Sequence, residues 1–267
     1  MTQDLIETVE GGIATLTMNR PEARNAFSRA MMDAMSEALP RLAVDPAVRL
    51  VVITGAGNAF SAGGDVKGFA RNVGGAPVSV SFDTKVTDLR ARMEVARWLH
   101  EMPKPTLAVI PGPAAGAGLS VALACDLRIA TEDAKLTTAF SKIGLSGDFG
   151  GSYFLNHLVG AAKARELYFT GQVISGAEAA RIGLVNRVVR DEDLLAFARR
   201  YAQELAANCS PTSMMIMKRQ VWQHLTADLG SAEKEAIGLM VESFKRPDFR
   251  EGVVSYLEKR PPRFPRV

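Results

Sequence analysis

From residue 107 to residue 125 the chain reads LAVIPGPAAGAGLSVALAC, without a single charge, and no other stretch constrains the fold so strongly. The run is nearly long enough to span a membrane, but Pro111 and Pro113 break helix within it and three glycines follow. A buried strand, a tight glycine loop and the start of a buried helix fit these breakers, which argues against a membrane segment. The same layout occurs once before. LVVIT at 50–54, an apolar run of the buried parallel-strand kind, opens into the loop GAGNAFSAGGD. Two such strand–loop–helix passages predict an α/β protein.

The flanking segments agree. Residues 5–10 and 13–18 alternate about Gly11-Gly12, a favoured hairpin turn. Ser28 is placed to cap a helix with Ala30, Met31, Ala34, Met35, Ala38 and Leu42 at helical spacing. Glycines and Pro77 at 74–77 mark a soft surface segment, followed by an amphipathic helix over 83–101 that Pro103 ends. Strands are expected at 106–110, 126–130, 135–140 and 185–189, and helices at 152–159 and 162–170. Ser175 and Glu178 form a capping box. From residue 191 onward the pattern is helical: 191–207, 211–225, 231–244 and 248–258. The expected organisation is a strand–helix core over 1–190 and a helical region over 191–267 that packs on a partner subunit.

Composition removes several classes. The chain has 267 residues, 47% apolar and 23% charged, which suits a soluble globular protein with a sizeable core. A net charge of +3 without aromatic–basic interleaving does not suit nucleic-acid binding. Two cysteines, Cys125 and Cys209, make no disulfide framework, and three widely separated histidines give no metal-ligand spacing, so no metal is expected. With no secretory leader before the first strand, the reading is a cytoplasmic metabolic protein.

Each glycine loop leaves backbone N–H groups free at a helix N-terminus, where they suit phosphate or a developing oxyanion. Neither loop carries the P-loop pattern or G-x-G-x-x-G, which weighs against NTP and dinucleotide binding. GLSVA at 118–122 approaches a nucleophile elbow with Ser120, and His157 and His224 are the candidate bases for that serine-hydrolase alternative.

Five motifs in order then carry a resemblance: FSAGGDV at 60–66, PKPTLAV at 103–109 followed by GPAAGAG at 112–118, FSKIGL at 140–145 through Gly150-Gly151, Thr170-Gly171 with AARIGLVNRVV at 179–189, and YLEKR at 256–260. Together they resemble the enoyl-CoA hydratase/isomerase (crotonase) superfamily over essentially the whole chain. The resemblance implies a spiral of ββα units with C-terminal helices that form trimers or dimers of trimers. It implies an acyl-CoA thioester substrate, with coenzyme A entering only as part of it and no separate cofactor.

Carried over residue by residue, the resemblance places an oxyanion hole at the backbone N–H groups of Gly64 and Ala117. Such a donor is worth about 3–4 kcal/mol where it has been removed. The two glutamates with which hydratases of the family handle water fall on Ser120 and Phe140, neither of which replaces them. Asp148, in GLSGDFGG, occupies the place where the family's isomerases carry a catalytic aspartate. Leu145 and Phe149 flank it, and desolvation there is expected to raise its pKa. One base that collects and redelivers the same proton is enough for a 1,3-shift, so isomerisation of a double bond or ring is expected ahead of hydration. Hydrolysis or C–C cleavage of a cyclic acyl-CoA comes next, and a CoA-binding protein without turnover is the non-enzymatic alternative. For the substrate's CoA and acyl parts the resemblance points to Arg24, Ala62, Asp65, Val66, Lys67, Ser120 and Phe140. Phe244 and Lys259 are expected to complete a neighbouring subunit's pocket.

Overall fold

The computed structural model describes residues 3–65 and 80–266. Strands β1 (Leu5–Glu10) and β2 (Ile13–Met18) form the expected hairpin with the expected limits. Gly11 and Gly12 sit at φ +59° and +81°, the left-handed pair that a tight two-residue turn requires. Strands β3 (Leu50–Gly55), β4 (Thr106–Ile110), β5 (Ala114–Ala115), β6 (Leu127–Thr131), β7 (Lys135–Thr137), β8 (Ile174–Ser175) and β9 (Arg187–Val189) follow. They build a six-stranded sheet in the order β1-β2-β3-β4-β6-β9, parallel beyond the first pair, and a small sheet β5-β7-β8.

Alternation along the strands divides the core between two faces. Val51, Ile53, Ala108 and Ile110 point to one face, where α1 (Arg29–Val44) contributes Met31, Met35, Leu39 and Leu42 and α2 (Phe82–Glu101) contributes Val95 and Leu99. Leu50, Val52, Leu107 and Val109 point to the other, which Leu194, Ala198 and Ala202 of α6 (Leu194–Asn208) cover. Both faces being covered explains why these strands are apolar throughout. Ser28 caps α1 as expected, its Oγ accepting the Met31 N–H at 3.0 Å. The uncharged run at 107–125 resolves into most of β4, then β5 and α3 (Ala117–Ala124). No helix among the described residues is long and apolar enough to cross a membrane.

Two expected strands differ, those at 135–140 and 185–189. The strand expected at 135–140 stops at Thr137, because the Thr137 hydroxyl takes the Ala139 N–H and donates to the Gly171 carbonyl, and Ala139 turns left-handed. Phe140 then opens a short 3-10 turn, Phe140–Ile143. The two helices expected at 152–159 and 162–170 are present as the two halves of α4 (Gly151–Thr170), broken where expected by the non-helical backbone of Gly160 at φ +76°. The last strand begins at Arg187 rather than at residue 185. After α5 (Gly176–Arg181), α6 lies on the sheet, so the first helix beyond residue 190 shares the sheet's packing. Lys218 of α7 (Pro211–His224) ion-pairs Asp126 at 2.8 Å and donates to the Leu99 and Lys104 carbonyls. Helices α8 (Leu229–Ser243) and α9 (Pro247–Leu257) follow, with Leu229, Ile237, Met240, Tyr256 and Leu257 exposed. The soft segment expected at 74–77 lies outside the described residues.

Candidate active site

The two glycine loops lie side by side, joined through main chain. Phe60 and Ser61 both donate their N–H to the Pro113 carbonyl, and Ala115 N–H donates to the Ser61 carbonyl at 2.9 Å. Phe27 N–H donates to Gly63 O at 2.8 Å, which fixes the far side of the first loop. The contact leaves no room for side chains. A Cβ on Gly118 would stand 2.5 Å from Ser61 O, and one on Gly63 would stand 2.5 Å from Ala115 O and 3.0 Å from Ala117 N. Gly64 therefore follows a residue in contact with Ala117, and the two expected donors share one corner. Among the described residues neither the Gly64 nor the Ala117 N–H donates a hydrogen bond. Ala117 is the first residue of α3, all eight residues of which are buried, so the positive end of that helix points at the same corner with little screening.

Asn25 braces the first loop. It is fully buried at φ +55°; its Nδ2 donates to the Ala56 and Ala59 carbonyls, and its Oδ1 accepts the Arg20 N–H. Ser61 Oγ donates to Asn25 O and accepts the Gly63 N–H. Asn25→Ala strands these buried groups and is expected to lower stability by about 3 kcal/mol, read by urea unfolding.

Asp148 sits between Gly147 at φ +102° and Phe149 at φ +51°, in the loop that leads into α4. Its Oδ1 is buried and has no hydrogen-bond partner among the described residues. Burial pushes its carboxyl up to about 6. Of the two neighbours expected to cause this, only Phe149 is buried, its ring 5.7 Å from that of Phe27. Leu145 is 50% exposed, because the chain reverses at Gly144 and Leu145 N–H binds back to Phe140 O.

Tyr168 carries no motif in the sequence, yet it joins this group. Its ring stacks on Phe140 at 6.1 Å with 10° between the planes. A Cβ on Gly151 would lie 2.7 Å from the Tyr168 hydroxyl and 2.3 Å from Ser120 Oγ. The hydroxyl is pushed up to about 12, by burial first and then by the Asp148 charge. In sequence Tyr168 belongs to the apolar stripe of α4 with Ala164 and Leu167 and reads as core; only the approach of the 147–151 loop reveals it. Asp148, Ser120, Phe140 and Tyr168 are thus gathered in one place.

Ser120 is buried, and its Oγ donates to Gly116 O at 3.3 Å rather than to a histidine. His157 packs edge-on to Tyr153, and His224 pairs with Glu235, so the arrangement of a serine hydrolase is not assembled. Arg24 is exposed at φ +50°, and its carbonyl accepts the Ala62 N–H, which places both beside the first loop. Asp65 is half-buried at the loop's end, whereas Val66 and Lys67 lie outside the described residues. Phe244 (55% exposed) stacks edge-on to Phe249, and Lys259 is exposed beyond α9. Among the described residues, no hydrogen bond, ion pair or ring contact joins either to the Gly64–Ala117 corner. No group of three His, Cys, Asp or Glu is placed to hold a metal among the described residues.

With this geometry in place, the chain's likeness to known proteins can be read. Residues 8–266 match the family model described as enoyl-CoA hydratase/isomerase. The chain is 34% identical to the 1,2-epoxyphenylacetyl-CoA isomerase of Escherichia coli (strain K12), over 99% of both chains. It is 32% identical to the crotonyl-CoA hydratase of Syntrophomonas wolfei, over 98% of both. A crystal structure of an enoyl-CoA hydratase from Polaromonas sp. JS666 matches with a TM-score of 0.89 at 33% identity, covering 97% of this chain and 99% of that one.

Proposed function

The chain belongs to the enoyl-CoA hydratase/isomerase family, with its crotonase fold and acyl-CoA chemistry, and from that premise we propose that it is an isomerase whose one proton carrier is Asp148. The thioester oxygen of an enoyl-CoA accepts the free N–H groups of Gly64 and Ala117, which stabilises negative charge as a C–H bond breaks. Asp148 takes that proton, forming its O–H bond, and the electron pair spreads into the thioester enolate. Breaking the same O–H bond at the other end of the conjugated system forms the new C–H bond, moves the double bond and restores the carboxylate. No electron acceptor enters the balance, so coenzyme A serves only as the substrate's carrier.

The observation that carries this reading is the Oδ1 of Asp148, buried and without a partner among the described residues. A carboxylate held by strong donors is a poor base, and one left dry and unpaired is a better one. Hydration asks for a held water and a second proton carrier, and Ser120 and Phe140 supply neither. We assign Arg24, Ala62 and Asp65 to the CoA arm. We further propose a homotrimer or dimer of trimers, formed through the C-terminal helices, in which Phe244 and Lys259 complete a neighbour's pocket. The exposed apolar residues of α8 and α9 support that assembly.

The test is a 3-enoyl-CoA in deuterium oxide, read by ultraviolet conjugation and mass spectrometry. Conjugation is expected, with deuterium uptake only to the extent that the Asp148 proton exchanges before it is redelivered, and a protein that binds CoA yet neither moves the double bond nor exchanges a proton of any enoyl-CoA overturns the reading. The pH profile is a second readout. Only ionised Asp148 accepts a proton, so kcat/KM is expected to rise with pH, level off above about 6, and fall about tenfold per pH unit well below it.

A further inference from the structure

The loop that carries Asp148 rests on the Phe140–Tyr168 stack. A Cβ on Gly147 would lie 3.0 Å from Tyr168 Cε1 and 3.5 Å from Phe140 Cδ2, and Gly151 approaches the Tyr168 hydroxyl three residues beyond Asp148. The same two rings line a cleft of about 760 Å3, shared with Leu145, Tyr153, His157 and Arg165. Asp148 itself does not line that cleft, nor a second one of about 750 Å3 walled by Met93, His100 and Phe149. The aromatic pair therefore lies against both a volume wide enough for solvent and the loop of the proton carrier.

We propose that this stack, with Tyr168 as its deciding member, sets the outcome of the reaction by denying water a place beside Asp148. The proposal rests on the isomerase reading and deepens it. A water stays in a protein interior only where two to four polar partners hold it. The ring faces of Phe140 and Tyr168 offer none, and the Ser120 hydroxyl already donates its proton to Gly116 O. The Tyr168 hydroxyl, the polar end of this wall, keeps its proton throughout the neutral range and is no base for activating water. Addition of water would form a C–O bond at the β-carbon, pass a water proton to a base and put a proton on the α-carbon. With no water held there, the proton on Asp148 returns to carbon.

The test compares Tyr168→Ala, Tyr168→Phe and the natural protein on a 3-enoyl-CoA and its 2-enoyl isomer, in water labelled with heavy oxygen. The readout is the fraction of product that appears as labelled 3-hydroxyacyl-CoA. Tyr168→Ala opens the wall and is expected to raise that fraction at least about tenfold. Tyr168→Phe preserves the stack and is expected to leave the fraction where it was. Phe140→Ala opens the same space from the other ring, so the result is read on it if Tyr168→Ala does not fold. A merely structural role would lower both products together and leave their ratio unchanged, which overturns the proposal. So does an equal rise in Tyr168→Phe. If the natural protein itself gives mainly the hydroxyacyl product, without moving the double bond, the isomerase reading fails first. If it isomerises while the opened variants still exclude water, only the role of the stack fails.

Discussion

Asp148→Asn is expected to lower turnover of an enoyl-CoA by roughly 10²–10⁴-fold, the range that one positioned acid–base group contributes. The amide is close in shape to the carboxyl, so KM for the thioester should move little, and the loss should appear in kcat. The same substitution is expected to stabilise the fold. Asp148 has its carboxyl raised in the folded protein to about 6 from an ordinary 3.8, so folding opposes its ionisation. That penalty is fully present above about 6 and disappears as pH falls below the unfolded value near 3.8. Thermal unfolding of the variant should therefore lie above that of the natural protein at pH 8, and the two should converge near pH 4. A variant that is inactive and also destabilised at pH 8 would place Asp148 in the structure rather than in the chemistry.

Gly63→Ala is the second large effect. Gly63 stands at φ +78°, and its Cβ would meet the Ala115 carbonyl at 2.5 Å and the Ala117 nitrogen at 3.0 Å. Both obstacles are backbone, so they yield only if one glycine loop moves away from the other. The donors at Gly64 and Ala117 then no longer converge, and the loss of one such donor costs roughly 10²–10³ in kcat. Gly144→Ala is the control, because Gly144 has φ +71° with nothing within 4 Å of its Cβ position. It should cost only the left-handed strain, about 1–2 kcal/mol in urea unfolding, without a matching loss of rate. Equal loss of kcat/KM in both variants would mean that backbone strain, and not the meeting of the loops, governs the oxyanion corner.

Features fixed by adjacent residues were legible from the chain alone. Gly11-Gly12, the Ser28 cap and the limits of β1, β2 and β4 depend on local backbone and side-chain chemistry, and they stand where the pattern put them. The meeting of the two glycine loops was legible only through the family resemblance, and its physical reason, that only bare backbone fits between Ser61 and Gly118, comes from the structure. What failed to show were features decided by contacts across the chain. The 135–140 stretch has the composition of a strand, but the Thr137 hydroxyl ends it. Leu145 and Phe149 looked equivalent beside Asp148, but the turn at Gly144 leaves Leu145 exposed, whereas Phe149 is buried with its ring against Phe27. Tyr168 sits some twenty positions from Asp148 at an ordinary helical spacing, so its place in the site follows only from folding the 147–151 loop back onto α4.

The seam between the glycine loops divides the labour of the site in an unusual way. Everything that would restrain the thioester oxygen is main chain, from Phe60 and Ser61 on Pro113 to Ala115 on Ser61. Everything that would move a proton or admit water is side chain, at 120, 140, 148 and 168. The two halves meet at Gly116, which precedes Ala117: its carbonyl accepts the Ser120 hydroxyl and its Cβ position lies 3.7 Å from the Phe140 ring. Substitution at 148 or 168 is therefore expected to change the chemistry while the anion cradle stays in place, much as tools are exchanged in a fixed holder. For an engineer, a library at these two positions is the one expected to sample different acyl-CoA reactions at the least cost to that geometry.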